Sequence, residues 1–226
     1  MSKNKLEKFA ENAAFPHFFQ PLQTEVLENG FELKGKWRSV FFNNNNPIVL
    51  ELACGRGEYT VGLAAKYPNK NFIGIDRKGA RMWTGGKESL HAQLPNVAFL
   101  RTQIGLIKYF FAENEVDEIW ITFPDPQPAR SKINKRLTSP LFLDFYKHIL
   151  KPNGLIHLKT DSGQLYEYTL EVIENLHYEV VEKNADIYAA DRTNDDLNIQ
   201  TYYETMWRNK GIPIKYIQFS LNSILR

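Results

Sequence analysis

Apolar runs of strand length alternate with segments of helical length from Ile48 to the end of the chain. This alternation is typical of a mostly parallel sheet that is covered by helices on both faces. The last two apolar runs are joined by a long polar loop and a short helix-like piece near 201–209, which indicates an antiparallel last strand. We therefore predict an α/β fold with seven strands: 48–53, 71–75, 97–100, 118–123, 155–160, 178–182 and 213–221. We also predict a turn at 151–154, before the fifth strand.

The residues before this sheet carry no strong periodicity, and they end in four consecutive asparagines followed by Pro47. Polar runs of this kind form turns and hinges. We interpret residues 1–46 as an N-terminal extension and linker. We interpret residues 47–226 as one domain, because the chain is long enough for one α/β domain with a full core.

The composition argues against several classes of protein. Cys54 is the only cysteine, which excludes an internal disulfide and favours a reducing compartment. The five histidines lie far apart in the sequence, so no metal site is expected. The N-terminus lacks the apolar run of a signal peptide and no stretch has the length of a membrane span, so we expect a cytoplasmic protein without a membrane partner. The net charge of +2 is too small to indicate a nucleic-acid partner by itself.

A glycine turn follows the first predicted strand. That strand contains Glu51 and runs through Gly55 and Gly57 into a helix, and Asp76 ends the second strand. Glycines let the backbone turn sharply and let a ligand come close to it. An acid at the end of the second strand is placed to bind the two hydroxyls of a ribose. These four residues predict a nucleoside pocket at the carboxyl ends of the first two strands.

S-adenosylmethionine suits this pocket better than a dinucleotide does. Thr60 stands where a dinucleotide-binding turn would have its third glycine. Glu51 would repel a pyrophosphate, whereas its charge suits the positively charged methionyl group of S-adenosylmethionine. The alternatives are a purely structural turn with solvated acids and a nicotinamide dehydrogenase.

Asp125 lies between two prolines directly after the fourth predicted strand, in Phe123-Pro124-Asp125-Pro126. This position brings it to the same carboxyl edge of the sheet, and the stiff prolines would hold it there. Its carboxylate could accept hydrogen bonds from a base or from the cofactor and so orient a nucleophilic nitrogen. Methyl transfer to an aromatic ring nitrogen needs little prior proton removal, so positioning would carry much of the rate. The alternative is a rigid turn with a solvated acid.

Four cations occur within the seven residues from Arg130 to Arg136. On a loop above the pocket, they would bind the phosphates of a nucleic-acid backbone. The alternative is a charge run that is merely solvated.

Six short motifs follow one another along the chain: Glu51-x-x-x-Gly55-x-Gly57, Gly74-Ile75-Asp76, Phe123-Pro124-Asp125-Pro126, Lys135-Arg136-Leu137, Lys159-Thr160-Asp161 and Thr201-Tyr202-Tyr203-Glu204. In this order they resemble the bacterial tRNA (guanine-N(7)-)-methyltransferase family, over about residues 48–221. The resemblance implies a Rossmann-like methyltransferase fold with S-adenosylmethionine as the cofactor. It also implies methyl transfer to N7 of a guanosine in the variable loop of tRNA.

The resemblance assigns roles to single residues as well. Asp125 would lie between cofactor and guanine and is the residue that the family pattern marks as catalytic. The residues that would bind the cofactor are Glu51, Gly55, Gly57, Asp76 and Asp125. The residues that would contact the guanosine are Asp161, Thr201, Tyr202, Tyr203 and Glu204.

The chain departs from the family pattern at three places. The family has Trp, Pro and Lys after Pro-Asp-Pro, but this chain has Gln, Pro and Ala at 127–129, so Arg130 or Lys132 would take the place of the substrate lysine. Lys132 also stands where the basic run usually has a histidine. Gln103 stands where an acid is expected after the third strand, and it could accept a hydrogen bond from an adenine amino group. Two other functions remain open: a methyltransferase of a small molecule or protein, and a non-catalytic RNA-binding relative.

Overall fold

The computed structural model describes residues 4–189 and 194–223. This part of the chain contains the strands β1 (Phe18–Phe19), β2 (Ile48–Leu52), β3 (Asn71–Asp76), β4 (Val97–Arg101), β5 (Val116–Thr122), β6 (Leu150–Thr160), β7 (Tyr178–Asn184) and β8 (Lys215–Ser223). They form one sheet in the order β1-β4-β3-β2-β5-β6-β8-β7. Only β8 runs against its neighbours, β6 and β7, among these eight strands. The predicted, mostly parallel sheet with an antiparallel last strand is confirmed.

Helices cover both faces of the sheet, as predicted. The α-helices of the described residues are α1 (Lys5–Ala14), α2 (Gln23–Asn29), α3 (Glu58–Lys66), α4 (Gly79–His91), α5 (Pro140–Ile149), α6 (Gly163–Asn175) and α7 (Tyr202–Arg208). Successive side chains of a strand point to opposite faces. Accordingly, Ile48 and Leu50 pack in one core with α5 and α6, whereas Val49 packs in a second core with α3 and α4.

Two details of the sheet differ from the sequence prediction. The sheet has an eighth strand, β1, which pairs in parallel with β4 through Phe18 and Phe99. With two residues, β1 is too short to show a strand period in the sequence. In addition, β6 begins at Leu150, and the predicted turn at 151–154 is an irregularity inside this strand, with Asn153 in a left-handed conformation at φ 65°.

The residues before β2 pack against the rest of the protein. In α1, the Asn12 side chain is buried and donates to the Gly79 carbonyl of α4 at 2.9 Å. Trp37 is fully buried, and its indole N–H donates to the Phe110 carbonyl at 3.0 Å. The described residues before β2 therefore form part of the folded unit. The division into 1–46 and 47–226 stays a prediction, and its outer ends, 1–3 and 224–226, lie outside the described residues.

Two features are absent from the described residues. None of their helices combines the length and the apolar character that a membrane crossing requires. Their histidine, cysteine and acidic side chains form no group of three or more that could hold a metal ion.

Candidate active site

An open pocket of about 840 Å³ lies at the carboxyl edge of the sheet, next to the residues that follow β2, β3, β4 and β5. Small-molecule sites typically have volumes of roughly 300–1,000 Å³. Seven residues predicted from the sequence line this pocket: Gly55, Asp76, Gln103, Asp125, Asp161, Thr201 and Tyr203. Six predicted residues do not line it: Glu51, Gly57, Arg130, Lys132, Tyr202 and Glu204.

The turn between β2 and α3 has a left-handed backbone at Ala53, Gly55 and Gly57, with φ values of 60°, 57° and 77°. A Cβ added to Gly55 would meet no atom closer than the Ala53 carbonyl oxygen, at 3.9 Å, so the surface of Gly55 is open to a ligand. A Cβ added to Gly57 would lie 2.6 Å from the ring of Phe99 in β4. Gly57 therefore allows close packing beneath the turn, and its predicted contact with the cofactor stays a prediction.

Asp76 fastens this turn from the end of β3. Its Oδ2 accepts a hydrogen bond from the backbone N–H of Gly55 at 3.1 Å, and its Oδ1 accepts one from Lys78 at 2.9 Å. Each carboxylate oxygen has a second lone pair, which can accept a ribose hydroxyl. Gln103 lines the same pocket, and its amide donates to the Gln23 side chain at 3.2 Å, so its Oε1 is the atom that can accept an adenine amino group. These acceptors, with the open surface of Gly55, fit the adenosyl part of S-adenosylmethionine.

Glu51 lies in β2 beneath the pocket and is only 3% exposed. Its carboxylate accepts hydrogen bonds from the backbone N–H of Thr60 at 2.8 Å and from the hydroxyls of Thr60 and Thr122. Burial raises the pKa of Glu51 to about 7, although the three hydrogen bonds oppose the shift. Glu51 thus joins the start of α3 to the end of β5. Its contact with the cofactor stays a prediction.

Asp125 lines the pocket from the loop after β5. Phe123 and Gln127, on either side of it, have left-handed φ values of 47° and 46°. Such values are unfavourable for residues with a side chain, and they cluster at functional sites. The Asp125 Oδ1 accepts a hydrogen bond from the Gln127 N–H at 3.1 Å. The carboxylate is exposed, so it can accept further hydrogen bonds from a ligand in the pocket.

Arg136 supports the Asp125 loop from a buried position. Its side chain is almost fully enclosed, and its Nε donates to the Gln127 carbonyl at 3.2 Å. Its guanidinium stacks on the ring of Tyr168, with 4.3 Å between the guanidinium carbon and the ring centroid. Arg136 belongs to the run of cations predicted to bind phosphates, but its burial gives it a structural role in this loop.

The other cations of the basic run remain near the surface. Arg130 and Lys132 are exposed on the 3-10 helix Arg130–Lys135, outside the pocket lining. Lys135, the last residue of this helix, does line the pocket. Lys135 is not among the predicted site residues, although it belongs to the motif Lys135-Arg136-Leu137. Substrate contacts of Arg130 and Lys132 stay predictions.

A further part of the pocket wall comes from the end of β6 and the start of α7. It contains Asp161, Thr201, Tyr203 and Trp207. Burial raises the pKa of Asp161, while the nearby charge of Lys215 opposes the rise. Trp207 is not among the predicted site residues, because an aromatic side chain at helical spacing could stack on a base but is more often part of a core. The predicted residues Asp161, Thr201 and Tyr203 are thus brought together with Asp125.

Glu204 is fully buried and forms an ion pair with Lys159 of β6, with 2.8 Å between Nζ and Oε2. Its Oε1 accepts a hydrogen bond from the Tyr188 hydroxyl at 2.7 Å. Lys159 also donates to the carbonyls of Leu197 and Ile199, at 3.0 and 3.1 Å. This pair therefore fastens the chain before α7 and α7 itself to the sheet. The predicted contact between Glu204 and guanosine stays a prediction.

Tyr202 connects α7 to the glycine turn rather than to the pocket interior. Its backbone N–H donates to the carboxylate of Glu58 at 2.9 Å. The Arg56 guanidinium lies 4.0 Å from the centroid of its ring, and the ring is 48% exposed. The turn next to Asp76 and the start of α7 are thus in direct contact, and Tyr202 stays a predicted substrate residue.

Sequence comparison relates the chain to known methyltransferases. A family model described as "Putative methyltransferase" matches residues 45–217. A tRNA (guanine-N(7)-)-methyltransferase of Bacteroides fragilis is 55% identical over 98% of this chain and 87% of its own length. A protein of the same name from Christiangramia forsetii is 52% identical over 97% of this chain and 99% of its own length.

Structural comparison supports the fold. A crystal structure of an S-adenosylmethionine-dependent methyltransferase from Aquifex aeolicus superimposes with a TM-score of 0.54 and 16% identity, and the match covers 98% of this chain and 100% of the other. The 16S rRNA (adenine(1408)-N(1))-methyltransferase from Catenulisporales acidiphilia gives a TM-score of 0.59 and 12% identity, covering 92% and 98%. At these identities the likeness extends to the architecture alone.

Proposed function

The chain belongs to the tRNA (guanine-N(7)-)-methyltransferase family, and from this membership we propose that it methylates N7 of a guanosine in the variable loop of tRNA with S-adenosylmethionine as the methyl donor. The proposal includes a cytoplasmic location, which the lone cysteine and the nature of the substrate favour.

The proposal is supported above all by the set of side chains that line the pocket. Asp76 and Gly55 offer a nucleoside site, Asp125 lies on the neighbouring loop, and Asp161 and Tyr203 complete the lining. The volume of about 840 Å³ leaves room for a purine base beside the cofactor. A nucleoside cofactor and a base can therefore meet at Asp125.

The chemistry of N7 explains why the pocket needs no strong base. S-adenosylmethionine supplies a methyl group on a positively charged sulfur. N7 of guanine has a free lone pair and no proton, so the N–C bond forms as the C–S bond breaks, and the positive charge moves from sulfur to the purine ring. Asp125 can accept a hydrogen bond from the guanine and stabilise this developing charge. The constrained loop around Asp125 holds the carboxylate in place before the substrate arrives, which favours a reactive geometry.

Transfer of a labelled methyl group from S-adenosylmethionine to an unmodified tRNA transcript tests the proposal. Mass spectrometry of the nucleosides should identify 7-methylguanosine, and a transcript that lacks the variable-loop guanosine should remain unlabelled. Asp125→Asn should lower kcat by about 100- to 1,000-fold, the usual cost of losing one charge-stabilising group. Cofactor binding in calorimetry should largely persist, because Asp76 and the glycine turn are unchanged and asparagine retains an oxygen acceptor at this position.

Asp144→Asn, at an exposed acid on α5, is the matched control and should leave kcat unchanged. Full activity of the Asp125 variant would remove Asp125 from the mechanism. Cofactor binding without tRNA labelling would point to a small molecule or a protein as substrate, and absence of cofactor binding would leave a non-catalytic RNA-binding protein.

A further inference from the structure

Seven cations extend from the pocket over α1, α4 and the ends of β3 and β4. We call this the α1–α4 basic surface, and it consists of Lys5, Lys8, Arg77, Lys78, Arg81, Lys87 and Arg101. Six of these seven side chains are exposed, and Lys8 is half-buried. Three of them, Arg77, Lys78 and Arg81, line the pocket. The surface therefore begins at the candidate active site.

Contacts between aromatic rings and cations hold the outer part of this surface together. Arg101 donates to the Arg77 carbonyl at 3.4 Å and lies 4.6 Å from the ring centroid of Phe9 in α1. Lys5 lies 5.9 Å from the centroid of the same ring. On α4, the ring of Trp83 has the ammonium group of Lys8 at 4.9 Å and that of Lys87 at 5.2 Å.

The two helices are fixed to each other, so the arrangement of the cations is built into the fold. Asn12 of α1 donates to the buried Gly79 carbonyl of α4 at 2.9 Å. A Cβ on Gly79 would lie 2.8 Å from both Phe9 and Arg101, so the glycine permits their close approach. The indole N–H of Trp83 donates to Glu11 of α1 at 2.7 Å. These contacts join α1 and α4 at several points.

The charge of this surface differs from that of the rest of the protein. The α1–α4 basic surface carries seven cations, whereas its elements carry four acids, Glu7, Glu11, Asp76 and Glu88. The whole chain is nearly balanced, with 28 cations and 26 acids. Three of the four acids accept hydrogen bonds within the protein: Glu7 in the cap of α1, Glu11 from the Trp83 indole, and Asp76 from the backbone of the glycine turn. The positive charge is therefore concentrated next to the pocket.

We propose that the α1–α4 basic surface binds the sugar-phosphate backbone of the RNA that flanks the target guanosine, an inference that rests on the proposed function. Phosphate binding requires cations that are exposed and spaced along a path, without pockets for base edges. Measured along the axis of α4, Lys78 at its N-terminus and Lys87 are about 14 Å apart, at about 1.5 Å per residue, a distance comparable to the rise of several nucleotides. Lys8 and Lys87 already lie against the Trp83 ring, which favours contact with phosphates over stacking of a base.

The test compares two pairs of exposed lysines. The variant K5Q/K87Q removes two cations of this surface and leaves the pocket lining intact. The control variant K147Q/K183Q removes two exposed cations that lie outside this surface, one from α5 and one from β7, the strand at the opposite end of the sheet from β1. Each protein is assayed for tRNA methylation, for tRNA binding by fluorescence anisotropy from 50 to 300 mM salt, and for thermal unfolding.

We expect K5Q/K87Q to raise the KM and Kd for tRNA about tenfold and to lower the slope of log K against log salt by about two, roughly one per lost phosphate contact. Its kcat, its KM for S-adenosylmethionine and its Tm should match those of the wild type, and the control pair should change none of these values. An unchanged salt slope, or an equal change in the control pair, would overturn the proposal. Loss of binding to phosphatidylserine vesicles with unchanged tRNA binding would also overturn it, in favour of a membrane contact. A wild-type protein that binds tRNA but forms no 7-methylguanosine would refute the proposed function alone, because the anisotropy measurement still tests this surface.

Discussion

The buried pair of Lys159 and Glu204 makes a quantitative prediction for the variant Lys159→Met. Both side chains are fully enclosed, and Lys159 also donates to the carbonyls of Leu197 and Ile199. Removing one partner of a buried ion pair leaves an uncompensated charge and costs about 3–5 kcal/mol. A chain of this length loses about 2–4 °C of Tm per kcal/mol, so we expect a decrease in Tm of about 6–20 °C.

The effect on function should be confined to the part of the pocket wall that α7 forms, where the RNA is expected to bind. The pair holds α7, which supplies Tyr203 and Trp207 to the pocket wall, whereas Gly55 and Asp76 belong to β2, β3 and their turn. Below the transition temperature, Lys159→Met should therefore raise the KM for tRNA while the KM for S-adenosylmethionine changes little. The assays are urea and thermal unfolding together with steady-state methylation kinetics.

Two further variants distinguish the effect of leaving a buried charge unpaired from the effect of removing a lysine. In Lys159→Met with Glu204→Leu, neither side chain leaves a lone buried charge, so more than half of the lost stability should return. Lys66→Met is the matched control: Lys66 pairs with Asp196 at 2.6 Å, but its side chain is 35% exposed, so its loss should cost at most about 1 kcal/mol. Equal costs for Lys159→Met and Lys66→Met, or a double variant as unstable as the single one, would refute the reasoning.

Three other variants test the turns and loops around the pocket. Burial raises the pKa of Glu51 from 4.5 to about 7, so between these pH values the folded protein holds a proton that the unfolded chain has released. The free energy of unfolding, measured with urea, should therefore decrease by up to about 3 kcal/mol as the pH rises from about 4.5 to 7.5, and Glu51→Gln should remove this decrease. Ala53 has a left-handed φ of 60°, so Ala53→Gly should raise the free energy of unfolding by about 1 kcal/mol, and a decrease would contradict backbone strain at this position. The control Ala64→Gly, inside α3, should lower the free energy of unfolding by at least as much. Arg136→Met should release the Gln127 carbonyl and lower kcat by about 10- to 100-fold, with an unchanged KM for S-adenosylmethionine. Arg136→Lys should have a similarly low kcat, because lysine lacks the planar group that stacks on Tyr168.

The sheet and the cofactor side of the pocket could be predicted because their signals are local. Strand-length apolar runs, the left-handed turn at Gly55 and an acid at the end of the next strand all depend on residues close together in the sequence. The parallel topology then brings Asp76 and Asp125 to the same edge without further information. By contrast, β1 depends on a two-residue pairing with β4, which leaves no periodic signal.

The roles of charged residues were harder to predict because the sequence does not show which of them are buried. Glu51 and Arg136 look like ligands for a cation and a phosphate in the sequence, and only the structure shows that both are buried and bonded to Thr122 and to the Gln127 carbonyl. Such partners become visible only when distant parts of the chain are brought together. The sequence could name these residues, but it could not separate those that line the pocket from those that lie behind it.

Three buried charged groups hold three different parts of the pocket. Glu51 joins α3 to β5, Arg136 supports the loop of Asp125, and Lys159 with Glu204 fastens α7. A substitution at any of them would impair methylation even if the residue contacts neither the cofactor nor the RNA. Loss of activity is therefore weak evidence for ligand binding at these positions. Two measurements distinguish a group that positions the pocket wall from one that contacts the ligand. The first is which kinetic parameter changes, kcat or the KM of one substrate, and the second is whether stability recovers when both charges of a pair are removed.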